Sequence, residues 1–157
     1  MIDRALYRTR QFVKAFRVSV TATDQADALR WLSPSLGTLF HSMPEPARRH
    51  HLDVFAGVRQ TGPDEPDLLA AALLHDCGKE WIHPVQRAIY VLLGAIHSSL
   101  PRRAGGWLAR QADHPAIGAA LVAAAGGSDQ TVWLIAHHAE PIDNPLLRRL
   151  QAADDAA

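Results

Sequence analysis

Apolar positions in this chain recur at helical spacing and almost never alternate, which points to helices rather than strands. Alternation is confined to "FRVSVTAT", and β-branched residues are sparse, so the pattern predicts an all-α protein. Residues 2–20 read as an amphipathic helix or arm. A short helix is expected from near Asp24 to Ser33, and Pro34 opens another through Phe40. "PEPARRHHLDVFAGVRQTG" reads as one long helix stopped at Gly62. The next begins at Asp64 or Glu65 with Pro66 in its first turn. Its body, "PDLLAAALL", is nearly all apolar, so it is expected to be buried, and it ends at His75, Asp76 and Gly78.

Pro84 opens "VQRAIYVLLGAIHSSL", where Val85, Ala88, Ile89, Leu92, Leu93, Ile96 and Leu100 form one stripe. The stripe is expected to face the core, with a partner or a membrane surface as the alternative. A basic, glycine-containing link with Trp107 and Leu108 follows. Asp113, Ser128 and Asn144 read as N-caps of three further helices, "HPAIGAALVAAAGG", "DQTVWLIAHHAE" and "PLLRRLQAADD". No repeat, heptad run or internal linker divides the chain.

Composition narrows the function classes. The chain has 157 residues, enough for a substantial core, and 48% of them are apolar. Lys plus Arg equals Asp plus Glu at 16 each, so no net field draws the protein to nucleic acid, and no nucleic-acid partner is expected. One cysteine, Cys77, excludes an internal disulfide and fits a reducing, cytoplasmic setting. The charged N-terminal stretch does not read as a signal peptide. No apolar run reaches the ~18 residues of a spanning helix.

The nine histidines change the picture most. His50 shares a helical face with Ala47, Val54, Gly57 and Val58, while His51 falls on the flank with Phe55, so His50 is the better inward-facing ligand candidate. His75 and Asp76 sit at a helix end, where both can turn toward one centre; a cap and a surface carboxylate are the plainer alternative. Lys79 follows within one turn, as surface charge or as a contact to an anionic substrate. His114 starts a helix and His137-His138 end one, where they can also simply complement the helix dipole. Asp154 falls on the Leu147, Leu150 stripe and Asp155 on the polar face. An ionised side chain on an apolar stripe needs a partner. His41, His83 and His97 read as structural. Cys77 beside His75-Asp76 is a minor candidate nucleophile.

In their order, "RHHLDV", "LLHDCGK", "HPAIGAAL", "AHHAEP" and "LQAADD" resemble the HD-domain superfamily of metal-dependent phosphohydrolases, from about residue 43 to residue 155. The resemblance implies a single HD-type helical domain over residues 43–157 behind an N-terminal helical extension, residues 1–42. It implies that His50, His75, Asp76 and Asp154 are the common metal ligands. The later histidine motifs resemble the dinuclear branch, which includes the HD-GYP phosphodiesterases and the symmetric dinucleoside tetraphosphatases. His114, His137 and His138 are then the additional ligands. Lys79 matches a lysine near substrate phosphate, so Asp76 and Lys79 are the residues expected at the chemistry. Arg48, Arg49 and Arg148 are further candidate phosphate contacts. "AHHAEPIDNP" has no Gly-Tyr-Pro, and a second histidine follows His50 where a small polar residue is usual.

Imidazoles with carboxylates suit Fe, Mn, Co, Ni or Zn without distinguishing them, and a carboxylate such as Asp76 can bridge two ions. The expectation is a divalent transition metal, two per chain, activating water against a phosphate ester or anhydride of a small phosphorylated substrate, a nucleotide. A single-metal nucleotidase and a non-catalytic, metal-stabilised regulatory or scaffold module remain alternatives.

Overall fold

A computed structural model describes residues 22–79, 84–97 and 99–157. The arm read over residues 2–20 and His83 lie outside the described residues. Ten helices follow: α1 (Ala22–Leu29), α2 (Pro34–Ser42), α3 (Glu45–Gln60), α4 (Pro66–Leu74), α5 (Pro84–Ile96), α6 (Leu100–Ala104), α7 (Gly106–Ala112), α8 (His114–Ala124), α9 (Asp129–His137) and α10 (Pro145–Ala156). Among the described residues there is no strand, so the protein is all-α, a single helical domain.

The architecture follows from α4. Every residue from Leu68 to Leu74 is buried, as expected of a helix that is apolar on all sides. Such a helix must be enclosed, and α2, α3, α9 and α10 pack around it. Phe40, Leu52, Val54, Val58, Leu134, Ile135, Leu147 and Leu150 complete the core with it. Truncating one of the fully buried leucines to Ala removes a packed side chain, at a cost of about 2–5 kcal/mol.

Side-chain caps fix where the outer helices start. The Asn144 side chain accepts from Leu146 N and Leu147 N. Ser128 accepts from Thr131 N and donates to Asp67 Oδ1 at 2.6 Å, tying the start of α9 to the start of α4. Asp113 occupies the N-cap position of α8, but its carboxylate takes Arg102 at 2.7 Å instead of the helix amides.

Two backbone approaches bring helices close together near His50, Asp154, Asp76 and His114. A Cβ added at Gly57 would stand 3.2 Å from Ala153 Cβ, so α3 and α10 cross closely. A Cβ added at Gly78 would stand 2.3 Å from Gly118 N and 2.4 Å from His114 O. Only glycine admits that approach of the turn after α4 to the first turn of α8.

Two expectations are corrected. The link after the apolar helix is itself two short helices, α6 and α7. The α5 stripe does not face the core: Ile89, Leu92 and Ile96 are 43%, 64% and 68% exposed. Among the described residues, the main packing partner of helix α5 is the short helix α6 that follows it.

Candidate metal centre

Helix α4 ends in a turn that carries two ionisable side chains, His75 and Asp76. His75 is fully buried. Its Nδ1 lies 3.1 Å from Ala72 O, three residues back. A carbonyl can only accept, so Nδ1 carries the proton and Nε2 presents a lone pair. The same local arrangement recurs twice. His114 Nδ1 donates to Gln111 O at 2.7 Å, and His138 Nδ1 donates to Ile135 O at 2.8 Å. Three imidazoles are thereby held in the tautomer whose Nε2 is free to ligate.

These nitrogens converge on two carboxylates. Asp154 Oδ1 lies 3.0 Å from His50 Nε2 and 3.5 Å from His75 Nε2. Asp76 turns its two oxygens to different sides. Its Oδ1 is 3.1 Å from His114 Nε2 and 3.5 Å from His138 Nε2. Its Oδ2 is 4.0 Å from His75 Nε2 and 2.7 Å from Lys79 Nζ. Asp76 therefore belongs to two sets of potential ligands, one with His50, His51 and His75, the other with His114 and His138.

The donor set fits a metal. His114 Nε2 and His138 Nε2 stand 3.3 Å apart, with both Nδ1 protons already given to backbone carbonyls. Two lone pairs and a carboxylate oxygen at that range need a cation or a proton among them. The ionisation tendencies express the same demand. Burial alone would lower the His138 pKa, but the hydrogen bond to Asp76 and the Ile135 carbonyl raise it above its ordinary value. Burial alone would raise Asp76, yet the charge of His75, hydrogen bonds from His114 and His138, and Lys79 hold it well below the usual carboxylate range. Asp154 is likewise held low by His50 and His75 against the effect of burial. On the other side His75 Nε2 is buried with no hydrogen-bond partner. These are donors arranged for an electrophile.

His51 differs from its expectation on the helix flank. It is fully buried, its ring centroid lies 4.6 Å from that of His75, and neither ring nitrogen has a hydrogen-bond partner. Burial first, and then the charge of His75, push its pKa well below the ordinary value, so it stays neutral. A neutral imidazole with an unused lone pair is a further candidate ligand. The doubled histidine was the only sequence signal for it, and the helical-face count favoured His50.

Other candidates sit apart from the convergence. His137 Nδ1 bonds Glu140 Oε2 at 3.0 Å, and its ring packs against Trp133. Arg48 donates to Met43 O at 2.6 Å, at the end of α2. Arg49 pairs with Asp53 at 2.9 Å, and Arg148 pairs with Asp143. Asp155 is exposed. The Cys77 thiol points to Gly118 O, and burial together with Asp76 pushes its pKa up to about 12. It is a poor nucleophile there.

A family model, described as HD domain, matches residues 26–157. The chain belongs to the HD-domain family. Comparison with curated proteins and with solved structures gives no match. Membership in the HD-domain family brings metal-dependent phosphohydrolase chemistry as the general activity, and the clustered histidines and aspartates are where an HD domain would hold its metal.

Proposed function

We propose that this HD-domain protein hydrolyses a phosphate ester or anhydride of a nucleotide at a dinuclear centre. One observation carries the reading: the two oxygens of Asp76 face different imidazole sets, which is the disposition of a bridging carboxylate. His50, His75 and Asp154 would hold one ion with Asp76, and His114 and His138 the other. His51 is available as an extra donor on the first side. When bound, the metal supplies Lewis acidity, lowering the pKa of water and offsetting charge on the phosphoryl oxygens.

The chain's own residues do the rest. The backbone carbonyls of Ala72, Gln111 and Ile135 hold three imidazoles in place before substrate arrives, so no reorganisation is needed. Lys79, 43% exposed at its side chain, sits at the mouth of the cluster with its Nζ on Asp76 Oδ2. It is the cation best placed to take a substrate phosphate once metal engages that carboxylate. Arg48, Arg49 and Arg148 pair with groups outside the cluster, whereas Lys79 pairs with Asp76 inside it, so Lys79 is preferred over all three. No protein nucleophile is required, in keeping with the raised Cys77 pKa.

The test combines metal counting with a substrate panel. Protein purified without chelator and saturated with Mn²⁺ or Fe²⁺ is expected to hold two ions per chain and to hydrolyse at least one member of a mono-, di- and cyclic-nucleotide panel. His114→Ala should lower the count toward one and slow turnover about a hundredfold or more, since one of two Lewis acids is lost. A wild-type count of one, unchanged in the His114 variant, would promote the single-metal nucleotidase.

A further inference from the structure

Five large apolar side chains are exposed among the described residues, and four of them, Ile89, Val91, Leu92 and Ile96, lie on α5. Ile89, Leu92 and Ile96 share one face at helical spacing. Monomer surfaces scatter such residues singly, so their concentration on one helix marks a surface with an occupant.

Charge identifies the occupant. The sequence from Pro84 to Ala112, covering α5, α6 and α7, contains four arginines and no aspartate or glutamate. The chain as a whole is neutral, so everything outside this stretch is net negative by four. Arg103 and Arg110 are exposed, and Trp107 is partly so. Arg102 is paired with Asp113, just past this stretch, but arginine still exceeds carboxylate here, and aliphatic side chains, an excess of arginine and an indole on one excursion match the boundary of an anionic bilayer. There the apolar face enters the acyl region and the cations meet the headgroups. The length fits as well: α5 has 13 residues, and among the described residues no helix is long and apolar enough to cross a membrane.

We propose that α5, supported by α6 and α7, docks this protein on the surface of an anionic lipid bilayer. A second copy fits this face less well. A two-fold interface sets the same patch against itself, so surfaces carrying more arginines than carboxylates would meet. Nucleic acid would satisfy the arginines but leave Ile89, Leu92 and Ile96 in water. The proposal is independent of the metal centre.

Vesicle sedimentation tests it, with the full chain, phosphatidylcholine vesicles, and the same vesicles containing phosphatidylglycerol. Wild type is expected in the pellet with the anionic vesicles only, and to be released by high salt. Leu92→Glu/Ile96→Glu should remain in the supernatant. Arg103→Gln should weaken binding about fivefold, the effect of one basic charge near such a surface. Helical content and metal content should be unchanged in both variants, which separates failed docking from failed folding. Wild type that ignores anionic vesicles at low salt, or a double variant that binds as wild type does, overturns the proposal. Equal binding to both vesicle types removes the anionic part of it. A wild-type dimer that the double variant dissociates, with no vesicle binding, gives the face to a second copy instead.

Discussion

The two halves of the candidate metal centre share Asp76 but are held in different ways. His50 and Asp154 stand on α3 and α10, long helices that pack on each other and on the buried α4 that delivers His75. Their positions follow from the main core. His114 and His138 stand on α8 and α9, which pack on each other, and α8 is joined to the turn after α4 by the Gly78 and Gly118 backbones. One half therefore rests on large buried side chains. The other depends on the absence of a side chain at Gly78. Substitutions that damage one half should spare the other, and the shared carboxylate should be the exception.

The largest effect is expected at that exception. Asp76→Ala removes the candidate ligand that both halves share and leaves Lys79 without its carboxylate. Elemental analysis should find little metal, and hydrolysis should fall roughly a thousandfold or more, in line with the loss of several kcal/mol of charge stabilisation. Circular dichroism should be nearly unchanged, because Asp76 contributes nothing to the apolar core. Full metal occupancy in this variant would remove the basis for treating the halves as one centre.

Gly78→Ala is the sharper test of the comparison. The new methyl would meet backbone atoms of α8, which cannot rotate away as a side chain could. Relief requires α8 to withdraw from the turn, taking His114 from Asp76. The expected result is one ion retained on the His50, His75, Asp154 side and one lost, with a stability loss of about 1–3 kcal/mol in denaturant titration. Retention of both ions would show that the glycine contact does not set the second half.

Asp154→Asn and Asp155→Asn form the next pair. Asp154 touches His50 and His75, whereas Asp155 is exposed. The first should weaken metal binding, read as a higher Mn²⁺ concentration for half occupancy, and the second should leave it within about twofold. This pair also tests the helical register, since the two residues are neighbours and only one faces the cluster.

The all-α class, the capping residues at Ser128 and Asn144, and the buried character of "PDLLAAALL" were all legible because each is written in local spacing or residue type. The order of the histidine and aspartate motifs was legible for the same reason. What spacing could not express is which of two adjacent histidines is buried. The face count put His51 on the flank of α3, but α3 packs on α4 and the His51 ring lies against His75, so His51 is enclosed as well. The α5 stripe failed in the opposite sense. Periodicity detects an apolar face without saying whether anything in the same chain covers it. The role of Gly78 was hidden because a glycine after a helix reads as a stop signal, and its contact is with residues forty positions away.

The smallest effect is expected at Cys77. Its thiol packs toward Gly118 and is kept protonated by burial and by Asp76, with a pKa of about 12. Cys77→Ser should keep turnover within a few-fold of wild type, as fits chemistry without a protein nucleophile. Alkylation of the folded, metal-free protein by iodoacetamide should be slow at neutral pH and accelerate only as the solution becomes strongly alkaline. Rapid neutral-pH labelling, or loss of turnover in the serine variant with metal still bound, would reopen covalent catalysis.

The hydrogen bonds from His75, His114 and His138 to the carbonyl three residues earlier have a consequence for how such a centre can change over time. Ligating histidines are steadied by a carboxylate, a backbone carbonyl or a water, and where the support is a carboxylate it is one more side chain that must be kept. Here the support is the peptide backbone of the histidine's own segment, which every amino acid provides. The identities of residues 72, 111 and 135 are thereby released from the task of orienting a ligand. Sequence drift behind the centre can proceed without disturbing it, and the three-residue unit could be grafted onto the end of another helix with its tautomer already specified.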